Sequence, residues 1–123
     1  DLYRRMAAIR TQEDADDLLD EIVDRYGEPP RGVLNLIDIA LLRAQARKVG
    51  IKDIRQKGSN VLFVLTNLNF EVVSALCADA TYKTRILFLA NAKEPTLQLK
   101  LASGVDSLKQ CKVFVQKYSE LSH

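Results

Sequence analysis

The hydrophobic period of this chain changes at Gly50, and that change restricts it to few architectures. Before Gly50, apolar residues recur three and four apart, as on the buried side of a helix. After it, they fall in short β-branched and aromatic runs or alternate with polar residues. N-terminal helices followed by a small antiparallel meander with two further helices packed on it form an α+β arrangement. The 123 residues suit one domain with one core, and an apolar fraction of 47% is enough to build it.

Within the helical half the punctuation is explicit. Leu2, Met6 and Ile9 make a short amphipathic stretch that ends near Arg10. Thr11 is placed to cap the next helix, and Gln12, Glu13 and Asp14 form a first turn suited to the positive end of the helix dipole. Ala15, Leu18, Leu19, Ile22, Val23 and Tyr26 follow at helical spacing, so this face is expected to be buried. Gly27 ends the helix, Glu28-Pro29-Pro30 forbids its continuation, and Pro30 suits the start of the next. That helix carries Val33, Leu34, Leu36, Ile37, Ala40, Leu41, Ala44 and Val49 as a wide apolar stripe and stops at Gly50.

In the second half, Ile51 and Ile54 flank a short strand, Lys57-Gly58-Ser59-Asn60 turns the chain, and residues 61–65 form the next strand. Phe70, Val72, Val73, Leu76 and Cys77 read as a short helix opened by Asn67 or Asn69. Residues 85–89 and 96–101 are two further strands, joined by a hairpin loop at 91–95; the second alternates cleanly between apolar and polar. A final helix carries Val105, Leu108, Cys111, Val115, Tyr118 and Leu121.

The inventory for chemistry is thin. His123 is the one histidine and the last residue, which leaves no Ser/His/Asp or Cys/His constellation and few zinc sites. The five glycines, at 27, 32, 50, 58 and 104, match no nucleotide-binding loop. Cys77 and Cys111 stand far apart in apolar surroundings and are expected to be free, buried thiols in a reducing compartment. No run approaches the roughly 18 apolar residues of a membrane helix, and Asp1-Leu2-Tyr3-Arg4-Arg5 is a charged start unlike a signal peptide. With no initiator Met and a helical pattern already running at residue 1, the chain reads as a piece cut from a longer protein. It is expected to be a cytoplasmic, monomeric, non-enzymatic module without a metal or cofactor site.

Charge is what remains to carry function. Residues 1–30 hold four Arg against nine acids, whereas residues 31–123 hold fourteen basic residues against seven acidic. Such asymmetry suggests a bipolar surface more than a continuous nucleic-acid stripe. Within the acidic part Asp17, Glu21 and Asp24 stand at i, i+4 and i+7 and share one side of the helix. Like charges in a row weaken an isolated helix slightly, and a cationic partner surface would relieve them. Their bland alternative is a solvated face. In the basic part Arg43, Arg47, Lys48, Lys52, Arg55 and Lys57 cluster, with Arg43, Arg47 and Lys48 as candidate phosphate contacts. Those three also complement a helix C-terminus without any ligand, and the chain lacks tryptophan for stacking on bases.

Several stretches together resemble a known family. Leu-Tyr-Arg-Arg-Met-Ala at 2–7, Thr11 before a Leu-rich acidic helix, and Glu-Ile-Val-Asp-Arg-Tyr-Gly-Glu-Pro-Pro at 21–30 are similar to the C-terminal domain of bacterial transcription-repair coupling factor. So are the Leu34, Ile37-Asp38-Ile39-Ala40, Leu42-Arg43 and Lys48-Val49-Gly50-Ile51 spacings. The likeness is dense over residues 2–54 and thereafter rests on the succession of elements; Tyr26 stands where the family more often has Phe. The resemblance implies a longer bacterial protein, an ATP-driven translocase on duplex DNA that displaces stalled RNA polymerase and recruits excision repair. Its ATP and Mg would belong to motor domains outside this segment. The C-terminal domain itself would be non-catalytic, docking on the UvrB-like N-terminal module and masking the surface for UvrA. Glu21 and Asp24, with Asp17 beside them, would face arginines of that module, while Arg25 and Tyr26 would be structural. An accessory DNA-binding domain using the basic residues between 43 and 57 is the alternative.

Overall fold

The computed structural model describes residues 2–90 and 92–122. Asp1 of the charged start, Asn91 of the expected hairpin loop and His123 lie outside the described residues. In chain order come α1 (Leu2–Ala7), α2 (Gln12–Tyr26), α3 (Arg31–Lys48), β1 (Ile51–Lys57), β2 (Asn60–Leu65), α4 (Phe70–Ala78), β3 (Ile86–Leu89), β4 (Thr96–Lys100) and α5 (Ser107–Leu121). The fold is α+β, and the chain divides into two compact units, Asp1–Gln45 and Ala46–His123.

The first unit is helical because its sequence punctuates three helices. Thr11 Oγ1 accepts the Asp14 backbone N–H at 3.1 Å, and the Asp14 carboxylate accepts the backbone N–H groups of Arg10 and Thr11 at 2.9 and 3.2 Å. This reciprocal cap satisfies N–H groups that a helix start otherwise leaves unpaired. Gly27, at φ +80°, takes the chain out of α2 in a conformation that a side chain would strain. The Pro30 carbonyl then accepts the first N–H groups of α3, from Val33 and Leu34. Met6, Ile9, Ala15, Leu18, Ile22, Ile37 and Leu41 form the core, with Leu2, Val33 and Ala40 packed against it.

Two stripes are narrower than their spacing predicts. On α2, Ala15, Leu18 and Ile22 are buried, but Val23 is 45% and Tyr26 69% exposed. Tyr26 is the last helical residue and the chain leaves at Gly27, so no further turn of α2 covers it. On α3, Leu34 and Leu36 are exposed although they lie within the apolar stripe, and Ile39 is exposed too.

The second unit is a four-stranded antiparallel sheet of order β1-β2-β4-β3. This corrects the expected meander: β4 returns between β2 and β3, pairing Val61 with Leu99 and Phe63 with Leu97 on one side and Phe88 with Leu97 on the other. The central strands carry the cleanest alternation, with Val61, Phe63, Leu65, Leu97 and Leu99 all buried on one face. Gly58, at φ +62°, makes the tight turn from β1 to β2. Asn69, the second of the two expected caps, opens α4 by accepting the N–H groups of Glu71 and Val72.

On the same face α5 places Phe114, fully buried and absent from the expected stripe, with its ring centroid 4.4 Å from that of Phe63. Tyr82 meets Phe114 edge-on at 5.4 Å and Tyr118 lies at 6.4 Å, so four aromatic rings centre this core. Val105 precedes α5 and is exposed. Cys111 is buried as expected, and burial, then the nearby Asp106 carboxylate, pushes its thiol up to about 11. Cys77 is exposed, because α4 turns Val72 and Leu76 inward and leaves it outside.

Candidate docking face

The capped start of α2 fixes the register of its acidic side. The backbone N–H of Arg10, foremost, holds the Asp14 carboxyl below its ordinary value, so Asp14 belongs to the cap and not to a free surface. Asp16 accepts a hydrogen bond from the Gln12 side chain, one turn earlier. From Asp17 to Asp24 the helix advances about 10 Å, and Asp17, Glu21 and Asp24 line that length on one side.

The three expected docking carboxylates differ in their surroundings. Glu21 is half-buried and pairs with Arg5 of α1, while Arg25, one turn on, lies 3.7 Å from its other oxygen. Arg25 thus pairs locally within α2, and Glu21 also ties α1 to α2. Arg5 is a partner that spacing could not reveal, since it stands on a separate helix. Asp17 and Asp24 are exposed and have no ion-pair partner among the described residues. Beside Asp17 lies a shallow hollow of about 180 Å³, lined by Arg5, Ala8, Ile9, Asp14, Asp17 and Leu18. Val23 and Tyr26 are exposed too, but the helix period puts them on other sides of α2, roughly 120° and 180° around from Asp17. The structure thus removes Tyr26 from the buried set to which spacing assigned it.

The basic residues form a less uniform group. Arg43, Arg47 and Lys48 are exposed on α3, with Arg47 and Lys48 in its last turn, where cations complement the helix dipole. Arg43 is engaged within the chain. Lys52 is paired with Glu94 and Arg55 with Asp53, which neutralises two of the six cations between 43 and 57. Among the described residues no group of three or more His, Cys, Asp or Glu is placed to hold a metal ion. None of their helices is long and apolar enough to cross a membrane.

Comparison with known proteins places this face in context. A family model described as the TRCF domain matches residues 1–74, which includes all of α1 to β2 and the first half of α4. The transcription-repair-coupling factor of Escherichia coli (strain K12) is 36% identical over 67 residues, covering 53% of this chain and 6% of that protein. That of Bacillus subtilis (strain 168) is 34% identical over 56 residues, covering 46% of this chain and 5% of the relative. One from Staphylococcus epidermidis is 29% identical over 66 residues. The chain therefore spans about one-twentieth of the length of these curated relatives. A crystal structure of the C-terminal domain of a transcription-repair coupling factor has the same fold, with a TM-score of 0.74 at 20% identity. The likeness covers 98% of this chain and 78% of that one.

Proposed function

This chain belongs to the TRCF domain family, and on that premise we propose that residues 1–123 are the C-terminal regulatory domain of a longer transcription-repair coupling factor and act as an autoinhibitory clamp. In this reading the acidic side of α2 docks on the UvrB-like N-terminal module of the same protein and covers the surface that would take UvrA. The longer protein is a cytoplasmic ATP-driven translocase on duplex DNA. It displaces stalled RNA polymerase and recruits excision repair, and its ATP and Mg are held by motor domains outside this segment. The domain itself contributes contact and no chemistry.

The pair Asp17 and Asp24 carries the reading. Both are exposed on one side of α2, neither forms an ion pair among the described residues, and both lie in the segment that the family model matches. Repulsion along one helix side weakens the helix slightly, and a cationic partner surface would relieve what Arg5 and Arg25 leave of it. A desolvated charge pair at such a contact is worth about 1.5 kcal/mol or more, against roughly 0–1 for an exposed surface pair. Glu21 has a second duty. With Arg5 and Arg25 already on it, it holds α1 against α2 at the edge of the docking row.

The test is capture of UvrA by the longer protein in the absence of polymerase, wild type against Asp17→Ala with Asp24→Ala. Docking shifts a closed–open population and creates no new site, so loosening it raises UvrA capture. Equal capture by the two proteins, with folding confirmed by circular dichroism, sinks the assignment. Glu21→Ala is a poorer probe, because it also releases α1.

A further inference from the structure

The second unit contains a groove of about 210 Å³ that the clamp does not use, lined by Thr81, Tyr82, Arg85, Ala102, Val105, Lys109, Gln110 and Val113. Its apolar content is exposed: Val105 is 51% and Val113 55% accessible, while Tyr82 is buried beneath. A pocket for a small molecule typically holds about 300–1,000 Å³, so this space suits one or two side chains of a peptide.

The groove is rigid because one glutamine is fully occupied in building it. Gln110 Oε1 accepts from the Ala102 backbone N–H at 2.8 Å and from Arg85 Nη2 at 3.0 Å. Its Nε2 donates to the carbonyls of Ala102 and Val105 at 3.1 and 2.9 Å. The segment from Ala102 to Val105 is thereby fixed to α5 and to Arg85. Arg85 Nε donates to the Lys100 carbonyl at 3.0 Å, and its guanidinium lies 5.8 Å from the Tyr82 ring centroid.

Two of the five guanidinium N–H groups are spent in this way; the other three have no partner among the described residues. A planar cation locked by a network, with donors left over, is suited to a carboxylate. Lys109 adds a second cation on the rim. Asp106, the acid nearest in sequence, accepts the Lys109 backbone N–H as the cap of α5.

We propose that this groove docks an acidic–apolar peptide segment of a partner protein. An aliphatic side chain seats between Val105 and Val113 over Tyr82, and a neighbouring carboxylate pairs with Arg85 and Lys109. The rigid walls keep the ordering cost of binding low. This proposal does not depend on the clamp, which uses the opposite charge on another helix.

The probe is an eight-residue peptide alternating glutamate and leucine, blocked at both ends, titrated into the ¹⁵N-labelled 123-residue chain. Saturable shifts are expected at the amides of Val105, Lys109 and Val113. Replacing every glutamate by glutamine weakens binding at least tenfold, and a lysine–leucine peptide does not bind. Lys109→Gln weakens binding several-fold, and Val113→Asp, a change at an exposed position, abolishes it while the rest of the spectrum is unchanged. Equal affinity for the glutamine peptide, shifts centred elsewhere, or no saturation at millimolar peptide overturns the proposal.

Discussion

The two units bury their apolar surface with different materials. The first has an aliphatic core of Met6, Ile9, Leu18, Ile22, Ile37 and Leu41, and its two aromatic residues, Tyr3 and Tyr26, are 75% and 69% exposed. The second keeps Phe63, Phe114, Tyr82 and Tyr118 inside, with Phe114 against each of the other three, and leaves Phe70 exposed. The family match ends at residue 74, so Tyr82, Phe114 and Tyr118 fall outside it, whereas the whole first unit falls within it.

The largest test of this contrast is at Phe114. Phe114→Ala should cost about 3–5 kcal/mol, because a fully buried ring leaves a cavity among three others. Ile37→Ala or Leu41→Ala in the first unit should cost about 2–5 kcal/mol. Denaturant melts of each variant measure both. A loss below about 1 kcal/mol at Phe114 would break the picture of an aromatic-centred second core; the same result at Ile37 and Leu41 would remove the stripe of α3 from the core of the first unit.

These three positions also mark what the sequence could disclose. Ile37 and Leu41 stand inside an unbroken helical stripe. Phe114 was equally legible, since Cys111, Phe114, Val115 and Tyr118 sit at i, i+3, i+4 and i+7, but two of its three aromatic partners, Phe63 and Tyr82, come from a strand and a turn far away in sequence. Strand order was not legible: alternation tells which side of β4 is buried and nothing about whether β2 or β3 is its neighbour. The row Asp17, Glu21 and Asp24 could be read from spacing alone. The Glu21–Arg5 pair, the exposure of Tyr26 and the Arg85–Gln110 groove could not, because each depends on where a different element ends or packs.

Smaller effects should come from the cap that starts α2. Thr11→Ala should cost about 1 kcal/mol in the same melts, since it removes the acceptor for the Asp14 N–H. The cap also has a pH signature shared with the second unit. Asp14 is held below its ordinary value of 3.8 mainly by the Arg10 N–H, and Asp79 mainly by the Thr81 N–H, then by Lys117. A carboxyl with a depressed folded-state value contributes stability that is fully present above 3.8 and is lost as pH falls through the lower folded value. Stability should therefore decline from about pH 5 downward, and Asp14→Asn and Asp79→Asn should each flatten part of that decline. An unchanged acid slope in both variants would show that neither carboxylate is held as the geometry indicates.

The smallest expected change in stability is at the acids proposed to dock. Asp17 and Asp24 contact no cation among the described residues and lie off the buried side of α2, so Asp17→Ala and Asp24→Ala should move stability by no more than about 0.5 kcal/mol. Removing two like charges from one helix side could even raise it slightly, in contrast to the loss at the Thr11 cap. Glu21→Ala should do the opposite, because it frees Arg5, but both partners of that pair are partly in water, which limits the loss to about 1 kcal/mol. The ordering Glu21 worse than Asp17 or Asp24 is thus a statement about the isolated chain. Docking should reverse it: the two aspartates, silent in the melts, should matter most for the clamp, because only a partner can use charges that the fold leaves unpaired. Melts in which Asp17→Ala or Asp24→Ala costs as much as Glu21→Ala would mean that these carboxylates serve the first unit itself, and the acidic side of α2 would lose its claim to be a docking face.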